Sequence, residues 1–171
     1  DILIDRVLKD ADMSLPEISA VGMGIPGIVD HDTGTVTWSP FLIETEVDIR
    51  TAFMARFGMP VYVDNDTNVL SLAELWFGAG RTIADFVVVT IENGVGMGLV
   101  LDNRLFRGAR GMGLELGHTK VQLDGALCRC GRRGCLEAYA ADYALLREAA
   151  TALAPGSVAQ VAPADMLDRL F

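Results

Sequence analysis

Cys128-Arg129-Cys130-Gly131-Arg132-Arg133-Gly134-Cys135-Leu136-Glu137 holds all three cysteines of the 171-residue chain. Ten residues upstream, Glu115-Leu116-Gly117-His118 carries one of only two histidines. Three thiolates and an imidazole form the soft, tetrahedral ligand set that zinc prefers. Gly131 and Gly134 let the backbone turn tightly enough for several sulfurs to face one ion. A disulfide is the competing reading, but three is an odd number, and Cys128 and Cys130, one residue apart, would make a strained bridge. A Cys₃His set fills every position and leaves none for water, so the expected ion is structural, held by His118, Cys128, Cys130 and Cys135. Chelation is then expected to loosen residues 112–140.

Working outward, Glu115 lies three residues before His118 and Glu137 two after Cys135, so a closed metal loop would draw both carboxylates towards one place. Without the loop, each glutamate would read as a solvated surface charge. With it, carboxylates and an imidazole converging with Asn65 and Asp66 make hydrogen-bonding partners suited to sugar hydroxyls. Asp66 follows the short apolar run Val61-Tyr62-Val63, which is expected to deliver Asp64-Asn65-Asp66-Thr67-Asn68 to the carboxyl end of a sheet, where ligands of open α/β sheets bind. A carboxylate there can accept a proton from a bound hydroxyl. The plainer alternative for Asp66 is an N-cap, and for Asn65 a turn. Glu92-Asn93-Gly94-Val95-Gly96-Met97-Gly98, between two strand-like runs, could bring backbone N–H groups to a phosphate, but a hairpin with glycines for close packing is equally consistent. Glu92 would repel a polyphosphate there.

The rest of the chain alternates helix and strand. A helix is expected near residues 1–12, a strand over Ala20–Ile25, and a hairpin joining Gly27–Val29 to Thr35–Trp38 through Asp30-His31-Asp32-Thr33-Gly34. A helix capped by Asp48 and closed by Gly58 and Pro60 follows. The segment from Val69 to Phe77 is apolar on most sides and reads as a buried helix. Strands resume at Phe86, a change of lobe is expected near residue 80, and Leu136–Glu148 and Ala164–Leu170 read as helices separated by Ala154-Pro155-Gly156-Ser157.

Half of the residues are apolar, 51%, enough to bury a core, and the formal net charge is −9. That charge disfavours general attraction to nucleic acid, which depends on Lys and Arg neutralising phosphates. No apolar run reaches membrane-spanning length and the start lacks the basic residues of a signal peptide, so no membrane partner and a cytoplasmic location are expected. The chain opens on Asp1, goes at once into a helical pattern and closes abruptly at Phe171, as an internal piece of a longer polypeptide would.

Taken together, Gly24-Ile25-Pro26-Gly27, Asn65-Asp66-Thr67-Asn68, the glycine loop, Glu115-Leu116-Gly117-His118 and the cysteine loop resemble the ROK proteins (repressors, open reading frames and kinases) over nearly the whole chain. The resemblance implies an α/β chain of the actin-like, ribonuclease H-like ATPase fold, present in part and in two lobes. Residues 1–80 would be the C-terminal part of the first lobe and 81–171 the start of the second, with the zinc loop at 118–137. It also implies that Gly27, Asn65, Asp66, Glu115, His118 and Glu137 bind the sugar, His118 serving both sugar and metal. In family kinases the residue matching Asp66 is the base that takes the proton from the sugar hydroxyl as it attacks the γ-phosphate of ATP. Family repressors keep an Asp there too.

Two departures from the family pattern bear on function. Where kinases read Gly-Thr-Gly this chain has Glu92-Asn93-Gly94, so Asn93, Gly94 and Gly96 make a degenerate phosphate loop with reduced capacity for phosphate. Where kinases and sugar binders carry Asn after the Pro of the segment matching Ser39-Pro40-Phe41-Leu42, this chain has Phe41. The expectation is therefore the sugar-sensing core of a ROK transcriptional regulator, binding a sugar or sugar phosphate, touching DNA only through a domain outside this chain and assembling as a homo-oligomer. The alternative is a sugar kinase acting on a hexose or N-acetylhexosamine, with Mg·ATP as donor. Under either reading this piece alone is expected to be catalytically silent.

Overall fold

The computed structural model describes residues 2–108 and 114–153. The expected linker at 154–157 and helix at 164–170 lie outside the described residues. The chain divides into two compact units, one reaching Val69 and the other beginning at Leu70.

In the first unit, α1 (Ile2–Asp10) leads through a 3-10 turn to β1 (Val21–Ile25), β2 (Ile28–Asp30), β3 (Thr35–Trp38), β4 (Val47–Asp48), α2 (Ile49–Phe57) and β5 (Val61–Asn65). β1 and β5 pair in parallel, Val21 opposite Val61 and Ile25 opposite Asn65. A parallel pair needs a long crossover, which β2–β4 and α2 supply, the three strands forming an antiparallel sheet. Val29, Val36, Val61 and Val63 are buried together, with Val21, Met23, Ile25, Leu42, Ile49 and Phe53 packed against them. Burial of each of these four valines contributes about 1.5–3 kcal/mol relative to exposure. The Asp48 side chain accepts the Thr51 N–H at 2.9 Å, and Gly58 ends α2 in the left-handed conformation at φ 68°, as the sequence predicts. Arg50 fastens α2 to the sheet through the carbonyls of Val61, His31 and Asp32.

Helix α3 (Asp66–Trp76) corrects the expectation of a buried apolar helix. Thr67, Asn68 and Ser71 are its buried residues, whereas Val69, Leu70, Trp76 and Phe77 are 38%, 40%, 59% and 80% exposed. The polar side chains at its start are drawn inward, and the 3.6-residue period then carries Ser71 inward, leaves Leu72 and Leu75 half-buried and turns Val69, Leu70 and Trp76 outward.

The second unit is built on the antiparallel sheet β6 (Phe86–Ile91), β7 (Val95–Leu101) and β8 (Arg104–Phe106), in that spatial order. Residues 92–94 make the β6–β7 turn, closed by Glu92 N–H to Gly94 O at 2.9 Å. Gly96 lies in β7 opposite Thr90 and Gly98 opposite Val88, so the alternating glycines form a hairpin, with only Asn93 and Gly94 of the expected phosphate loop in the turn itself. The cysteine loop is held by two antiparallel bridges, Lys120 with Cys135 and Leu127 with Arg133. Cys128, Cys135 and Ala138 form a small core, flanked by Ala126 and Tyr139. The single helix expected over 136–148 is two, α4 (Glu137–Ala140) and α5 (Asp142–Leu153), broken where Ala141 is extended. The Asp142 N–H bonds Glu92 O at 2.9 Å, and this cross-link to the β6 end accompanies the break. Among the described residues, no helix is long and apolar enough to cross a membrane.

Candidate functional site

The carboxyl end of β5 carries the polar network of the first unit. Asp64 is buried, and its Oδ1 accepts the Asn65 N–H at 2.8 Å and Asn68 Nδ2 at 2.9 Å. Its Oδ2 lies 3.5 Å from His31 Nδ1, a nitrogen that is buried without a hydrogen-bond partner. Asn65 Oδ1 accepts the N–H groups of Thr67 at 2.9 Å and Asn68 at 3.2 Å. Those are the amides a helix cap satisfies, so Asn65 caps α3. The expected alternative role of Asp66 as N-cap therefore falls to its neighbour. Asp66 sits exposed at the first helical position with Oδ1 on the Thr67 N–H at 2.8 Å. Asn65 Nδ2 also donates to Gly27 O at 3.0 Å, which brings Gly27 and Asn65 together. Gly27, at φ +123°, must be glycine, since a methyl there would lie 2.8 Å from Ser39 Cα.

In the second unit, one ligand atom from each of His118, Cys128, Cys130 and Cys135 lies within 4.8 Å of the others. Cys128 Sγ is 3.8 Å from His118 Nδ1, and Cys130 Sγ is 3.8 Å from Cys135 Sγ. A tetrahedron with metal–sulfur bonds of about 2.3 Å has edges of roughly 3.7 Å. The four residues can therefore hold a metal ion, with Cys128 and Cys135 buried and His118 and Cys130 towards solvent. Burial, reinforced by the Glu137 carboxylate beside it, pushes the Cys128 thiol up to about 12 in the metal-free chain. Burial, with Cys128 and Glu137 nearby, also pushes the Tyr143 phenol up to about 12.

Glu137 is not a solvated charge. It is 8% exposed, with Oε1 accepting from Cys128 Sγ at 3.4 Å and Oε2 from the Val95 N–H at 3.4 Å. One carboxylate thus joins the cysteine loop to the start of β7. Arg129 makes a second link, its guanidinium 4.1 Å over the Tyr143 ring and its Nη1 donating to Asn93 O at 3.1 Å. Glu115 is exposed and opens the 3-10 turn Leu116–His118, its carbonyl accepting the His118 N–H at 3.0 Å. Nothing in the sequence singles out Tyr143 or Lys120, whose Nζ lies 3.1 Å from Cys135 Sγ. Arg129, within the cysteine motif, and Asp64, beside Asn65, carry a signal of position.

The chain belongs to the ROK family, whose model matches residues 2–167. It has the α/β, actin-like fold of that family's sugar kinases and regulators. It is 39% identical over 144 residues to a xylose repressor of Caldicellulosiruptor bescii, covering 84% of this chain and 36% of the repressor. It is 42% identical over 132 residues to a glucokinase of Thermotoga maritima, covering 77% of this chain and 42% of the kinase. The crystal structure of a ROK family transcriptional regulator described as a homologue of the E. coli MLC protein superposes with a TM-score of 0.76 at 31% identity, over 89% of this chain and 38% of that one. The chain therefore spans less than half the length of each of these relatives.

Proposed function

We propose that the chain is the effector-sensing part of a ROK transcriptional regulator, which binds a sugar or sugar phosphate and holds zinc in its Cys₃His cluster. The observation that carries this reading is the chemistry of the β6–β7 turn. The Val95 N–H, the first amide of β7, is already taken by the Glu137 carboxylate, and Glu92 adds a second, exposed carboxylate at the turn. A phosphate entering there would meet two negative charges and lose a donor. A regulator that binds sugar without transferring phosphate has no need of that donor, and Glu92 and Asn93, where family kinases are expected to read Gly-Thr, support this reading over the kinase.

Sugar hydroxyls would be contacted by Asn65, Asp66, Glu115, His118 and Glu137, with Gly27 holding Asn65 in place. Asn65 keeps one amide N–H beyond the one given to Gly27, and Asp66, released from capping, is exposed and able to accept. His118 turns Nδ1 towards Cys128, which leaves Nε2 for a hydroxyl. Bound zinc would supply rigidity, fixing the loop that carries His118 and leads into Glu137. DNA contact would belong to a domain outside this segment, as the net charge of −9 favours. Homo-oligomeric assembly is part of the same proposal.

The freedom of Asp66 also supports the second reading, a sugar kinase using Mg·ATP in which Asp66 takes the proton of the attacking hydroxyl. The full-length protein separates the two. Sugar-dependent change in operator binding without ADP release is the expected result. Sugar-dependent ADP release, abolished in Asp66→Asn, would overturn the regulator reading in favour of the kinase.

A further inference from the structure

We infer that Lys120 tunes the Cys₃His cluster as a charge-neutralising donor to the Cys135 sulfur. The inference rests on the zinc reading above. Three thiolates and a neutral imidazole around a divalent ion leave a net negative charge on the centre. Cys135 is fully buried at 0% exposure, so that charge has no water at this sulfur. Lys120 Nζ stands 3.1 Å from Cys135 Sγ and also donates to Arg133 O. Two acceptors from the loop therefore hold the ammonium in place. The backbone fixes it further: Lys120 is bridged opposite Cys135, and the Leu136 N–H to Thr119 O and Val121 N–H to Gly134 O bonds, both 2.9 Å, flank the bridge.

The other buried sulfur has opposite surroundings. Cys128 Sγ faces the Glu137 carboxylate at 3.4 Å, and its donors carry no charge, the Cys130 N–H and the Tyr143 OH at 3.9 Å. The sulfurs are thus unequal, and the cation is spent on Cys135. A charge-assisted hydrogen bond to a thiolate lowers its energy and its electron donation to the metal. Removing the cation leaves a buried negative centre uncompensated, and loss of such an outer partner weakens metal binding by about ten- to a hundred-fold.

The test uses the full-length protein as wild type and as Lys120→Met, Lys120→Gln and Lys120→Arg. Zinc affinity is read by competition with a chromophoric chelator, and the sulfur-to-metal charge-transfer band is read after cobalt(II) substitution. Met and Gln are both expected to weaken zinc by about ten- to a hundred-fold and to move the band to lower energy, with Arg close to wild type. Gln keeps an N–H for Arg133 O without the charge, and it carries the test if the Met protein does not fold. Wild-type affinity and band in the Met or Gln protein would overturn the role of Lys120. Wild-type protein that binds no zinc would instead overturn the metal centre itself, and this inference with it.

Discussion

Substituting Gly134 and Gly131 by alanine separates two costs that the sequence cannot distinguish. Both glycines are left-handed, at φ +75° and +80°. An L-residue pays about 1–2 kcal/mol for that conformation. At Gly131 a methyl meets nothing within 4 Å, so the loss should stop there. At Gly134 the methyl falls on the Gln122 carbonyl, 2.7 Å from its carbon, against backbone that no rotamer change can clear. Gly134 itself makes three backbone bonds, its N–H donating to Ala126 O at 2.8 Å and its O accepting the N–H groups of Val121 at 2.9 Å and Gln122 at 3.3 Å. Loss of three such bonds at about 0.5–1.5 kcal/mol each brings the total to about 3–6 kcal/mol. Those bonds hold the segment bearing Cys135 against residues 121–126, which lead into Cys128, so the loss should reach metal binding, as about two to four orders of magnitude in zinc affinity. Chelator competition, with thermal unfolding before and after metal removal, reads both quantities. Equal zinc affinity in Gly131→Ala and Gly134→Ala would refute the reasoning.

Asn65→Ala should lower stability by about 1 kcal/mol through loss of the cap, seen as a reduced urea midpoint, whereas Asp66→Ala should stay within about 0.5 kcal/mol. Apparent zinc affinity should rise with pH, because the thiols must shed protons and Cys128, at about 12 in the metal-free chain, keeps its own through the neutral range; isothermal titration in buffers of different ionisation enthalpy counts the protons released. Asp30 is held below its ordinary value of 3.8 by the Thr33 N–H, with the Asp32 N–H and Arg50 adding to it against burial, and Asp48 below its 3.8 by the Thr51 hydroxyl and N–H. Their stabilisation is full above 3.8 and lost as pH falls through the lower folded values. Asp30→Asn combined with Asp48→Asn should therefore be less stable than wild type at neutral pH and show a shallower acid decline in denaturant midpoints.

The hairpin over 28–38 and the helix between Asp48 and Gly58 were legible because their signals are local: a polar turn, a capping carboxylate, a left-handed glycine. The cysteine cluster was legible because its ligands sit close in sequence. What the sequence hid depends on distant partners. Val69, Leu70, Trp76 and Phe77 look like core by composition, but Asp64 and Asn65 fix the start of α3 and so choose which side turns in. The break at Ala141 accompanies a bond to Glu92, and Glu137 looks solvated until Val95 and Cys128 are brought against it. Lys120 reaches Cys135 only through the antiparallel bridge, a register that spacing does not reveal.

Strand β6 has a bearing on how the polypeptide behaves at high concentration. Phe86-Val87-Val88-Val89-Thr90-Ile91 is uncharged, free of proline and mostly β-branched, and among the described residues it pairs only with β7, with Val87, Val89 and Ile91 half exposed. Such an edge invites intermolecular strand addition. Asp85 and Glu92 stand immediately before and after it, the charged gatekeepers that discourage fibrillar stacking. Glu92 thus guards solubility as well as the turn, and replacing it with the glycine of family kinases would strip one of those two charges from an aggregation-prone segment.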